Sequence, residues 1–166
     1  MKTVKLDMSA LDDVIKLEEE VYETLPDKNF LRHNSPMVLA ECLREPHLAL
    51  GVYDGRTLVC LSVMWMPEGD ERLNIYLRDP SLHALRAANY KLCIVSPDAR
   101  GRGLQRSTGE ELIRHAREHG IELLCATAYS ENIYSIRNLG ALGFECDGEI
   151  QKYGMSRLLF YRRLSD

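Results

Sequence analysis

The stretch from Tyr90 to Ala128 limits the folds open to this chain more than any other. Tyr90-Lys91-Leu92-Cys93-Ile94-Val95-Ser96 is a nearly continuous apolar run, as in a central strand covered on both faces. Pro97-Asp98-Ala99 stops it, and Arg100-Gly101-Arg102-Gly103 follows. A helix then runs from about Leu104 to His119, closed by Gly120. Ile121–Ala128 is a second buried strand. Two strands joined through a helix form a parallel pair with a right-handed crossover.

The flanking segments add antiparallel strands and shorter helices, which makes the class α/β, or α+β, with a mixed central sheet flanked by helices. Residues 2–7 read as a strand, and Ser9 caps a helix running to about Tyr22. Val14, Leu17 and Val21 share one face of it, while Glu18, Glu19 and Glu20 read as its solvated side. Leu25–Pro36 is a loop, after which Ser35 caps a second helix with Pro36 at its first position. His47–Tyr53 and Thr57–Trp65 are strands joined at Asp54-Gly55, a hairpin signal. Residues 67–88 are ambiguous, with a strand piece near Leu73–Leu77 and a helical turn after Asp79-Pro80. Asn132 caps a helix with Ile133, Ile136 and Leu139 on its apolar side, ended by Gly143-Phe144. Strands at Glu149–Tyr153 and Arg157–Arg163 bring the sheet to about seven. No repeat or linker interrupts the chain, so residues 1–166 read as one domain.

Charge removes several classes of function. With 21 basic against 25 acidic residues the net charge is -4, which draws neither nucleic acid nor an anionic membrane. Five scattered cysteines without a CxxC pair, and a first segment without an apolar leader, predict a reducing cytoplasm. His115 and His119 lack the glutamate a zinc-protease helix places after its first histidine, and no metal site is expected. Trp65 and its neighbours Met64 and Met66 read as strand core, and Arg157, Arg162 and Arg163 as the exposed side of the last strand. Monomer and homodimer stay open.

The loop Arg100–Arg106 carries the chemistry. Unpaired amides at a helix start, together with the helix dipole, make an anion site. The glycines allow close approach, and Arg100, Arg102 and Arg106 add charge. A phosphate or pyrophosphate ligand is the expectation. A P-loop would need Gly-Lys-Ser/Thr, and a dinucleotide fingerprint a third glycine where Arg106 stands.

Val95 through Leu104 resembles the signature loop of the GNAT acyltransferases, Arg/Gln-x-x-Gly-x-Gly/Ala. Asn132-Ile133-Tyr134-Ser135 running to Leu142-Gly143-Phe144 is similar to that family's second signature, in the right order along the chain. The resemblance implies the GNAT fold, with splayed parallel central strands holding acetyl-CoA. It implies that backbone groups of Cys93, Ile94 and Val95 meet the pantetheine. Gly101, Arg102, Gly103, Leu104, Gln105 and Arg106, with Arg100 before them, would wrap the pyrophosphate, and Asn132 would reach the pantetheine. Gln105 departs from the pattern, standing where the family has Gly or Ala.

The implied activity is N-acetylation of a primary amine by direct attack, with a backbone N–H around Val95 as oxyanion donor. The family's thiolate acid and base positions hold Leu139 and Thr127, so Tyr129 is the candidate acid. A small-molecule acceptor is expected rather than a protein N-terminus or lysine. Glu23, Asp27, Glu68, Asp70 and Glu71 would attract a cationic amine. An acyl-CoA sensor, or a domain binding ATP or NAD on the same loop, are the competing readings.

Overall fold

The computed structural model describes residues 1–165. Seven strands form one sheet: β1 (Thr3–Lys5), β2 (Leu48–Asp54), β3 (Thr57–Trp65), β4 (Ala87–Val95), β5 (Leu123–Ala128), β6 (Glu145–Lys152) and β7 (Met155–Arg163). Their order is β1-β2-β3-β4-β5-β7-β6, and every pair is antiparallel except β4–β5. The helices are α1 (Leu11–Thr24), α2 (Pro36–Cys42), α3 (Leu104–Glu118) and α4 (Ile133–Ala141).

One face of the sheet is covered by α1 and α2. Val14, Leu17, Val21 and Leu39 pack there against Leu61, Val63, Leu92 and Ile94. The other face carries α3 and α4, whose Leu112, Ile113, Ala116, Leu139 and Leu142 meet Met64, Tyr90, Leu124 and Ala126. The ambiguous segment 67–88 has a structural task. Before β4 begins at Ala87 it is a chain of 3-10 turns, with no strand near Leu73–Leu77, and Leu73, Leu77 and Leu82 cap Leu123, Cys125 and Leu159 where no helix reaches. Helical turns suit this segment because it lies over the sheet, with no free edge to pair with. The turn after Asp79-Pro80 is present at Pro80–Leu82, with the Asp79 carboxylate accepting from the Ser81 amide.

Local caps differ from expectation in small ways. Asp7, not Ser9, caps a 3-10 turn (Met8–Ala10) ahead of α1, its carboxylate accepting from the Ser9 amide. Ser35 caps α2 as expected, its hydroxyl accepting from the Val38 amide. The hairpin turn is Gly55-Arg56, one residue later than expected, with Gly55 at φ 62°. Ile133 is 55% exposed, so α4 buries Leu139 and Ile136 but not its first residue.

Candidate functional site

Residue Lys91 shapes the centre of the sheet. Met64 pairs with Tyr90 and Val63 with Leu92, leaving Lys91 as an extra residue in β4. Such a bulge bends its strand and re-aims the side chains after it. On the far side, β4 pairs with β5 only at Ala87–Leu123, Ala88–Leu124 and Asn89–Cys125. Beyond Asn89 the two parallel strands part, so the β5-facing backbone edge of β4 has no strand partner. The gap opens into a cavity of about 670 Å³.

The start of α3 lies beside this gap. Gly103 is its N-cap at φ 73°, no side chain caps it, and Gly101 sits at φ 78°. Among the described residues the amides of Gly103, Leu104, Gln105 and Arg106 donate to no backbone carbonyl. A Cβ at either glycine would meet nothing within 4 Å, so both face open space. Free donors, a positive helix end and an open approach suit a phosphate. Arg102 meets Asp54 at 3.2 Å and Arg106 meets Glu110 at 2.9 Å, pairs exposed enough to exchange for a more highly charged anion. The first turn of α3 is tied to the sheet through hydroxyls. Thr108 donates to the Leu104 carbonyl at 2.8 Å and accepts from Ser62 at 2.7 Å, which leaves the Cys93 thiol, 3.2 Å away, to donate to Ser62.

Of the residues expected to hold the cofactor, Cys93 and Gln105 line the cavity directly. The side chains of Ile94, Val95 and Leu104 are buried in core clusters, leaving only their backbone groups for a ligand. Asn132 caps α4 by accepting from the Ser135 amide, and its Nδ2 donates to the Phe30 carbonyl, which closes the cavity rim. Tyr129 turns away from the slot: its hydroxyl goes to Glu131 at 3.5 Å and its ring rests on Phe30 at the exposed end of β5. Leu139 is a buried part of the wall.

Two residues the sequence placed on solvated sides are buried, one behind the wall and one in it. Glu18 is 1% exposed, on the same stripe as Val14, Leu17 and Val21, and not on the solvated side. Its carboxylate accepts from the Asn34 amide at 2.7 Å and from Asn34 Nδ2 at 3.0 Å, with His33 Nε2 3.7 Å away. This clamp fixes the loop that brings Arg32, His33 and Asn34 to the cavity. Arg157 is also buried, at 8% exposure, contrary to its expected solvated placement; Arg163 is exposed and Arg162 half-buried. Arg157 Nε donates to the Thr127 hydroxyl at 2.9 Å and its Nη2 to the Thr127 carbonyl at 3.3 Å. Tyr153 stands over both cations, 3.8 Å from the Arg32 guanidinium and 5.8 Å from that of Arg157. It holds φ 57° and Gly154 φ 73° because the two form the two-residue turn between β6 and β7, which requires positive φ at both positions.

Trp65 packs partly against the core as expected and also lines the cavity, stacked on His47 at 3.6 Å with Lys91 Nζ 4.9 Å from its ring. Burial lowers the pKa of both Lys91 and Arg157, and Arg32 lowers both further by repulsion. Of the five acids expected to draw a cation, only Asp70 and Glu71 line the cavity, against Arg32, Lys91, Lys152 and Arg157. Glu71 already accepts from Trp65 Nε1 at 2.9 Å. Two buried polar atoms of the wall, Asn89 Oδ1 and the Tyr90 hydroxyl, have no partner.

The sequence matches no protein-family model and no curated protein. The structure, in contrast, superimposes along its whole length on solved acetyltransferases. The ribosomal-protein-S18-alanine N-acetyltransferase of Escherichia coli aligns with a TM-score of 0.74 at 16% identity, over 99% of this chain and 94% of that one. The ribosomal-protein-alanine N-acetyltransferase of Brucella melitensis gives 0.71 at 20% identity, over 98% and 99%. The yncA protein of Salmonella typhimurium, solved with its cofactor acetyl-CoA, gives 0.73 at 18% identity, over 99% and 94%. The shared architecture is the GNAT fold, with its mixed seven-stranded sheet and one parallel pair at the centre.

Proposed function

We propose that this chain acts as one catalytic domain, an N-acetyltransferase that moves the acetyl group of acetyl-CoA to an amine, with both substrates in the cavity together. The observation that carries this reading is the parting of β4 and β5 beyond Asn89–Cys125, next to an uncapped α3 whose glycine N-cap faces open space.

Acetyl-CoA supplies the activated acetyl group as a thioester. The amides of Gly103 through Arg106 would take its pyrophosphate, and Arg100, with Arg102 released from Asp54, would add charge. The free edge of β4 from Leu92 to Val95 would pair with the pantetheine amides, as a strand would. Asn132 stays a helix cap in this reading and bounds the arm from the α4 side.

Acyl transfer to nitrogen needs a neutral amine, and a free α-amino group titrates near ~7.7–8.0 against ~10.4 for a lysine. The glutamate position of the family is Thr127 here, bound by Arg157. A dedicated base is not required if the site itself disfavours the ammonium. Arg32, Lys91 and Arg157 do so, since nearby positive charge lowers an amine's pKa. Backbone N–H groups on the β4 edge, Val95 among them, oppose the charge that develops on the carbonyl oxygen. Thiols titrate near ~8.5, so the leaving group needs little help from an acid, and Tyr129 is assigned none.

The test is calorimetric titration with acetyl-CoA, CoA, ATP and NAD, followed by a CoA-release assay over a broad amine panel. Tight acetyl-CoA binding with amine-dependent CoA release supports the reading. Tight binding with no turnover of any amine would assign a sensor instead, and preference for ATP or NAD would assign a nucleotide-binding domain.

A further inference from the structure

The cavity wall holds a guanidinium that no carboxylate among the described residues neutralises, and its placement bears on the acceptor's chemistry. Arg157 is nine-tenths buried, yet among the described residues no carboxylate forms an ion pair with it. A buried charge without a counter-charge is costly, and is retained where a ligand supplies one. Its hydrogen bonds go to Thr127 through Nε and one Nη2 proton. That leaves the Nη1/Nη2 end, where a 3.9 Å contact from Nη1 to the Met155 sulfur is the one other polar contact. Two parallel N–H groups at that end match the two oxygens of a carboxylate. Arg32 lies against the same Tyr153 ring, so the pocket carries paired positive charge.

We propose that the acetylated amine belongs to a small amino-carboxylate, of the amino-acid kind, whose carboxylate binds the Arg157 fork beside Arg32. This inference rests on the acetyltransferase reading and narrows its acceptor. It excludes polyamines and other wholly cationic amines, which Arg32, Lys91 and Arg157 repel. In the step itself the amine nitrogen bonds to the acetyl carbonyl carbon, the carbon–sulfur bond breaks, CoA leaves as thiolate, and the amine's extra proton passes to solvent.

The experiment compares the standard amino acids with their primary amides, in which a neutral amide replaces the carboxylate, at matched concentrations of unprotonated amine because the amide also lowers the amine's pKa. CoA release gives kcat/KM, and calorimetry measures binding of the N-acetylated products to the protein without acetyl-CoA. At least one amino acid is expected to be acetylated ten-fold or more better than its amide, and its N-acetyl product to bind. In Arg157→Gln the carboxylate-to-amide ratio should fall below about threefold, chiefly through KM, with the acetyl-CoA Kd unchanged; Arg157→Lys should keep part of it. Should Arg157→Gln fail to fold, Arg32→Gln, at an exposed residue, is expected to reduce the same ratio. Equal use of amides, an unaltered ratio in the folded variants, or no binding and turnover of any carboxylate overturns the proposal. Loss of acetyl-CoA binding would overturn the acetyltransferase reading as well, whereas acetyl-CoA binding with turnover of neutral or cationic amines alone overturns only this one.

Discussion

Two glycines at opposite ends of α3 allow backbone strain to be separated from ligand contact. Gly103 and Gly120 both have φ 73°. They flank a 15-residue helix and lie 17 positions apart, so about 25 Å separates them. Alanine in a left-handed conformation costs about 1–2 kcal/mol. No steric term is added at Gly103, where a Cβ meets nothing within 4 Å, and little at Gly120, where the nearest atom is the Arg86 tip at 3.4 Å. For a chain of this size each kcal/mol lowers Tm by about 2–4 °C, so both Gly103→Ala and Gly120→Ala should melt about 2–8 °C low. They should part company in calorimetry with acetyl-CoA. The new methyl at residue 103 stands where a phosphate would approach free amides, so Kd should rise at least about ten-fold, equivalent to about 1.4 kcal/mol. In Gly120→Ala it should stay within about twofold. Equal Kd changes in the two variants, or an unchanged Kd in Gly103→Ala, would refute a phosphate site at the start of α3.

Replacing Glu18 with Ala removes a buried carboxylate that accepts two N–H groups from Asn34. Bonds to a charged acceptor are worth about 1.5–3 kcal/mol, so a loss of about 3 kcal/mol is expected in denaturant titration, and a loss below about 1 would mean the loop is held by other contacts. His47 is held neutral by burial, and its Nδ1 accepts from the Met66 amide, so its pKa lies below the ordinary value. The unfolded chain therefore takes up this proton first as pH falls. Stability from this group is full above about pH 6.5 and declines below it, by at most about 1.4 kcal/mol per pH unit. Thermal melts from pH 7.5 to 5.5 should fall more steeply for the natural protein than for His47→Asn, and parallel curves would exclude the effect.

Much of the architecture is written in local patterns. The apolar run into Arg100–Gly103, the α3 period and the Asn132 cap locate the parallel pair and the glycine loop, although β4 begins at Ala87, three residues before the expected Tyr90. Glu18 was equally accessible, since positions 14, 17, 18 and 21 form one helical stripe, but its place in a run of three glutamates suggests solvent. Arg157 shares strand parity with Leu159, a buried residue, whereas grouping it with Arg162 and Arg163 crosses both faces. Segment 67–88 was not legible because 3-10 turns have no long period, and their burial comes from strands distant in sequence. The direction of the Tyr129 hydroxyl depends on Glu131 and Phe30, contacts that strand periodicity does not encode.

The bulge at Lys91 has a bearing on how such a slot arises. Tyr90 and Cys93 face α3, while Leu92 and Ile94 face α1 and α2, so striking out Lys91 restores unbroken alternation with every neighbour on its present side. A chain lacking that single residue is expected to keep its core and run β4 straight alongside β5, knitting the sheet shut. Measured by circular dichroism and acetyl-CoA titration, it should be folded yet unable to bind. The difference between a continuous sheet and one that can accommodate a substrate is then a single inserted codon, a short step for a lineage of sheets to take in either direction.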